Sequence, residues 1–327
     1  MTPRRSALWI VLPVGLVALL VLAIAVGTVP LTPGEVLAGL RGEGTAEMNA
    51  IVRALRVPRA LLAMLVGAGL GMAGAALQGT LRNPLAEPYL LGVSGGAAVG
   101  AVIAVAFGLV AGALLPLAAF AGALCAVAAV LLVARAAGGG ADPRVLLMAG
   151  VIIGAFANAA IMVALANAPP NTVRGAVWWM MGSVADADWP RVLWLAAYLG
   201  AGGLLLLWRA REIDVLALGE EPAAALGLHV DRAASRMFLI ASLLAAATVA
   251  AAGLIGFVGL VVPHLVRRAG VRSHRPLIAG SALAGGMLVV GADIAARTLR
   301  PPSELPLGAI TALIGVPFFL VQLARRA

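Results

Sequence analysis

Apolar residues run through this chain in long blocks. Ten can be marked, at about 7–27, 58–79, 90–109, 113–134, 144–166, 191–209, 235–253, 255–268, 276–297 and 306–324. Most are flanked by Arg, Pro or Gly. A helix needs about 20 apolar residues to cross the hydrocarbon core of a bilayer. Backbone groups must be paired within the segment there, so runs this long and rich in Leu, Ala and Gly predict spanning helices. A β-barrel would show short alternating segments, and none are visible. The predicted fold class is all-α, a polytopic membrane protein with ten transmembrane helices. The eighth block is short, and AAGLIGFVGLVVP (251–263) is ambiguous. Nine spans would move the C-terminus to the outside.

Arginine arbitrates, because loops on the cytoplasmic side carry the excess of basic residues. With ten spans and the N-terminus inside, the inner side holds Arg4, Arg5, Arg82, Arg135, Arg144, Arg209, Arg211, Arg232, Arg236, Arg267, Arg268, Arg272, Arg275, Arg325 and Arg326, which is 15 of 23. The outer side keeps Arg41, Arg53, Arg56, Arg59, Arg174, Arg191, Arg297 and Arg300. This bias predicts both termini cytoplasmic. It also leaves a puzzle, since four outer arginines crowd into residues 41–59. The N-terminal stretch could pass for a signal peptide, but its apolar run exceeds the usual 7–15 residues and reads as a retained first span.

Composition agrees with the block pattern. The 327 residues are 62% hydrophobic and 11% charged, with a mean hydropathy of +1.05. Soluble domains are about half apolar and about a quarter charged. The net charge of +9 therefore reads as loop arginine facing anionic lipid, and no nucleic-acid partner is expected. Every basic residue is Arg. The phosphate-binding pattern G-x-x-x-x-G-K-[ST] needs a lysine, so no such ATP site and no enzyme is expected in this chain. Cys125 stands alone, which rules out a disulfide framework. His229, His264 and His274 are too scattered to suggest a metal site. One transmembrane domain over 1–327 is predicted, its longest polar interruptions being an outer loop, 28–57, and an inner segment, 210–234.

Several stretches invite a functional reading. In RNPLAEPYLLGVSGGAA (82–98), Pro84 and Pro88 forbid a continuous helix, and Ser94 or its glycine neighbours can open the next one. Two readings stay open: an inner turn between spans, or broken backbone beside a pathway. In RAREIDVLALGEEPAAALGLHVDR (209–232), acidic residues before Pro222 and a glycine at 227 predict a short helix. Ala223, Ala224 and Leu226 give it a modest apolar face for this protein's own surface or for another subunit. Asp293 and Arg297 can pair four apart on one helix, a structural ion pair near the outer surface. His264 reads as a satisfied polar residue near a helix end. Gln78, Asn83, Asn158 and Asn167 read as inter-helix hydrogen-bonding groups. Glycine and alanine in VGAGLGMAGAALQG (66–79) and AGSALAGG (279–286) suit close helix packing.

Taken together, R-V-P-R (56–59), VGAGLGMAGAALQ (66–78), NPLAEPYLLGVSGGA (83–97), LALGEEPAAALGL (216–228), GFVGLVVPHLVRR (256–268) and ADIAAR…ELPLGAITALIGVPFF (292–319) resemble the permease subunits of type II ABC importers. Such FecCD-type transmembrane proteins take up ferric siderophores, haem and cobalamin. The resemblance implies two permease copies, here a homodimer, around a central pathway in the bacterial cytoplasmic membrane. It implies two ATPase subunits below, which bind ATP and Mg²⁺ while this chain holds no cofactor. A periplasmic or lipid-anchored substrate-binding protein would dock from outside. By this resemblance Arg56, Arg59 and Arg297 are docking residues for acidic groups of that protein. Arginine's fork suits carboxylates, and complementary charge steers encounter. Leu218, Gly219, Glu220, Glu221, Ala224, Leu226 and Gly227 would form the coupling segment that meets the ATPase. Gln78, Asn83 and Ser94 would lie near the pathway. Ferric siderophore or haem is the expected cargo, with cobalamin the alternative inside the family. An ion-coupled secondary transporter is the more distant alternative, although it would want more carboxylates deep in the spans than Asp293.

Overall fold

The computed structural model describes residues 3–27, 29, 31–109, 112–138 and 142–324. Arg325 and Arg326 lie outside these, as do the side chains of Arg4 and Arg5. The described residues form helices and no strands. The order is α1 (Pro3–Ala25), α2 (Pro33–Arg41), α3 (Ala46–Ala50), α4 (Val57–Thr80), α5 (Val93–Ala106), α6 (Leu114–Ala136), α7 (Pro143–Ala166), α8 (Pro170–Met180), α9 (Trp189–Trp208), α10 (Ala210–Leu216), α11 (Glu220–Ala225), α12 (Val230–Ala252), α13 (Val258–Arg268), α14 (His274–Thr298) and α15 (Leu307–Ala324). Among the described residues, seven helices are long and apolar enough to cross a membrane: α1, the continuous stretch Ala46–Thr80, α6, α7, α9, α12 and α14.

The outer segment read as a loop over 28–57 is largely helical. Thr32 and Glu35 form a reciprocal capping box that starts α2, satisfying two otherwise orphan donors. Gly42 ends it at φ 79°, and Thr45 caps the next helix. A π-helical turn, Ile51–Arg56, then runs into α4 without a break.

Helix α4 is the axis of the molecule, buried along most of its length. Its glycines allow backbone-to-backbone contact on two sides. A Cβ on Gly67 would stand 2.1 Å from the Gly285 carbonyl oxygen of α14, and one on Gly74 2.0 Å from that of Gly259 on α13. Only glycine permits these approaches, which is how packing drives association where lipid is as apolar as leucine. Helix α14 lies between α4 and α1, with Gly15 of α1 set against Met287.

Two short helices, α5 and α13, owe their length to where they begin. Pro88 packs on Gly259, which also abuts the Leu70 carbonyl. At 1.5 Å per residue, Leu70 and Gly74 lie roughly 9–15 Å from the C-terminal end of α4. After α4 ends, the chain therefore turns back into the bundle, and α5 starts from that depth at Gly92, beside Gly150 of α7. The link 253–257 does the same from the opposite end, and α13 starts at the same level. The inner-turn reading of 82–92 is thus corrected. Pro84 and Pro88 break the helix, and the freed backbone is re-paired inside protein.

Candidate functional site

Three regions matter: a rim at the start of α4, a projection beyond its C-terminal end and the paired breaks between them. At the rim, α4 brings Arg56 and Arg59 to the ends of α1 and α14. Arg56 is buried. Its Nη1 donates to the carbonyls of Ile24 (2.8 Å) and Ala25 (2.9 Å), and its Nη2 to that of Val29. Arg297 Nη2 donates to the Ala23 carbonyl at 2.7 Å. Two guanidiniums thus cap the last turn of α1, whose final carbonyls have no helical partner.

Arg59 bridges two carboxylates. Its Nη2 donates to Asp293 Oδ1 at 2.8 Å and its Nε to the same group at 3.1 and 3.2 Å. On its other edge, Nη1 and Nη2 donate to Glu304 at 2.7 and 2.8 Å. The expected Asp293–Arg297 pair is present at 3.5 Å, but the tighter partner is Arg59. Arg59 also holds the Glu304 carboxyl below its usual range, chiefly through the side-chain hydrogen bond. All three arginines assigned to docking are therefore engaged within the chain, as is the exposed Arg53, which donates to the Leu40 carbonyl at 3.1 and 2.7 Å, while Arg300 is exposed. Glu304 was missed by sequence reasoning because 245 residues separate it from Arg59.

At the end of the bundle where α4 finishes, α10 and α11 form a knob on a fixed seat. Asp214 accepts the His274 backbone N–H at 2.8 Å and faces its Nδ1 at 2.7 Å, tying α10 to α14. Gly219 (φ 112°) and Gly227 (φ 81°) open and close α11, conformations that side chains disfavour. Glu220 pairs with Arg82 at the end of α4. Of the apolar face expected on this helix only Ala223 is buried. Ala224 points outward, and Leu218 and Leu226 are 60% and 66% exposed. Glu221 and Gly227 are exposed as well.

Between these ends, Gln78 donates to the carbonyls of Gly259 (3.0 Å) and Leu260 (3.2 Å) and accepts from Arg267 Nη1. That fastens α4 to α13 and uses both ends of the amide. Asn83 Oδ1 accepts the Leu85 N–H at 2.9 Å. Ser94 Oγ donates to the Tyr89 carbonyl at 3.0 Å, while Gly92, at φ 80°, opens α5. The three residues assigned to the pathway are thus engaged in shaping the breaks. His264, on α13, is buried with its ring edge-on to Phe318 of α15, centroids 6.4 Å apart. Sequence reasoning passed over Glu87 and Tyr89. The Glu87 carboxylate accepts the Phe257 N–H at 2.5 Å, and the Tyr89 hydroxyl accepts the Ile255 N–H at 2.7 Å. A carboxylate inside a proline-broken stretch between two apolar runs was the available signal.

Residues 15–325 match the FecCD transport family. The chain is 43% identical to a cobalamin import system permease of Halobacterium salinarum, over 84% of this chain and 74% of that one. It is 41% identical to a hemin transport system permease of Yersinia pestis, over 83% and 82%. Among solved structures it resembles an ABC transporter described as of the metal-chelate type, in an inward-facing conformation. The TM-score is 0.86 at 28% identity, covering 98% of this chain and 99% of that one.

Proposed function

The chain belongs to the FecCD transport family and is an ABC importer permease, and from that premise we propose that it passes a ferric siderophore or haem inward across a bacterial cytoplasmic membrane. Cobalamin is the second candidate, favoured by the similarity to a cobalamin import permease. The membrane is crossed ten times with both termini cytoplasmic, α5 and α13 each completing a crossing with the broken segment beside it. Energy enters through two separate ATPase subunits that bind ATP and Mg²⁺, for which this chain has no lysine.

The observation that carries this reading is the projecting knob at 218–227. A six-residue helix is too short to persist alone, yet this one is seated on Ala223 and the Arg82–Glu220 pair and shows Leu218 and Leu226 outward. Exposed leucines on a braced projection suit a groove on a partner subunit. Closure of an ATPase pair on ATP would then move the knob as a rigid body. A substrate-binding protein docks on the outer rim, where Arg59 exchanges the half-exposed Glu304 for a partner carboxylate. Arg56 and Arg297 set the rim's shape by holding α1.

A second permease copy covers α7, which shows Met148, Val151, Ile152, Phe156, Met162 and Val163 outward together with Asn158. An amide facing lipid would be costly, whereas the same amide at a subunit seam or water-filled pathway is at home. The test is affinity purification from the native membrane. The wild-type chain should bring down a nucleotide-hydrolysing subunit, and Leu218→Asp with Leu226→Asp should lose at least about tenfold of it. Equal recovery with both aspartates in place would refute the knob assignment.

A further inference from the structure

We propose that Glu87 and Tyr89 are positioning residues that lock the two breaks to each other, so that a displacement of the knob reaches the start of α13. The inference rests on the assignment of 218–227 as the ATPase contact. Its first link is the pair between Glu220 of the knob and Arg82. Its second is the tight turn after Arg82, closed by Asn83 Oδ1 on the Leu85 N–H and by the Ala86 N–H on the Asn83 carbonyl at 3.0 Å. A turn bonded in this way moves as a unit. The third link is the pair of hydrogen bonds from Glu87 and Tyr89 to the backbone of Phe257 and Ile255. The fourth is Phe257 itself, so close to α15 that a Cβ on Gly315 would meet its Cβ at 2.5 Å.

Backbone geometry singles out the two ends of this route. Among the described residues, the non-glycine residues with positive φ are Arg82 (φ 50°) and Phe257 (φ 68°). Each is held in a region that side chains disfavour, a cost that persists only where the surroundings enforce it and that clusters at switch segments. Here the enforcing contacts are the Glu220 ion pair at one end and the Glu87 acceptor at the other. Glu87 is also an ionisable group at membrane depth, where such groups are rare. Its bond from Phe257 meets the opening residue of α13, where backbone donors lack helical partners. A carboxylate is the stronger acceptor for such a donor.

The test is hydrogen–deuterium exchange on the permease–ATPase complex in nanodiscs, nucleotide-free and with ATP, Mg²⁺ and vanadate. In wild type, both 82–92 and 253–260 should change their exchange on trapping. With Glu87→Ala and Tyr89→Phe, the amides of 255 and 257 should exchange about tenfold faster at rest. The trapping response should then persist in 82–92 and vanish from 253–260. Glu87→Gln, which keeps an acceptor oxygen, should preserve the response. If the double variant does not assemble, Tyr89→Phe alone carries the test, because it removes a single hydroxyl. A full response of 253–260 in the Glu87→Ala/Tyr89→Phe variant, or in Tyr89→Phe where that is the form that assembles, would overturn the lock while leaving the knob assignment standing. Silence of both segments in wild type, with nucleotide trapped, would overturn the knob assignment and the lock with it.

Discussion

Arg59 is held between two carboxylates, one buried and one at the surface, and the difference decides what the residue is worth. Asp293 has almost no exposed side chain, so its charge depends on the guanidinium that covers it. Removing Arg59 leaves Asp293 only the longer 3.5 Å pair with Arg297, and breaking a buried pair costs up to about 3–5 kcal/mol. Arg59→Ala should therefore lower the thermal midpoint of the purified protein far more than Glu304→Gln, whose pair is half-exposed and worth at most about 1 kcal/mol. Equal losses in a fluorescence-monitored melt would show that the surface carboxylate governs the rim. Lysine should rescue Arg59→Ala only in part, because a point charge cannot present two parallel edges to two acceptors.

At the scale of elements, steric closeness governs, and glycine marks where. A methyl on Gly67 would collide with the backbone of α14, which cannot turn aside as a side chain would. Overpacking of this kind costs about 1–3 kcal/mol, so Gly67→Ala should unfold at lower temperature than wild type. Gly200→Ala on α9, where nothing stands within 4 Å, should be neutral or slightly stabilising. Identical melts for the two would contradict the packing described. These elements also show how far the chain could be read in advance. Blocks at 58–79, 144–166 and 276–297 fall within two residues of α4, α7 and α14, because long apolar runs depend on local composition alone. The helices within 28–57 were not legible as such, their caps being scattered among polar residues. Nor was the depth of 82–92. Pro84 and Pro88 declare a break, but only Gly259 against Pro88 says that it lies inside the bundle. For the rim, the R-V-P-R motif marks Arg56 and Arg59 at the start of α4, yet their partners come from α1, α14 and the loop at 304, which no local pattern encodes.

At the scale of the whole molecule, the outward face of α7 is the surface proposed for a second copy. In a Cys125→Ser background, Phe156→Cys should form a disulfide-linked or bis-maleimide-linked dimer in native membranes, while Leu204→Cys on the exposed face of α9 should not. Cross-linking at Leu204 alone would move the seam to α9. The three-way junction of α1, α4 and α14 has a further consequence, for the history of each molecule as it is made. Helix α1 leaves the ribosome before α4 and α14, but its last carbonyls wait for Arg56 and then for Arg297, 274 residues downstream of Ala23. Asp293 likewise meets Arg59 only after the chain has grown by 234 positions beyond it. Until α14 slides in between its elders, the groove that it fills stands open to lipid and to the quality-control proteases of the membrane. A late helix thus closes an early gap, and a chain cut short before α14 would carry an unhealed seam beside α1.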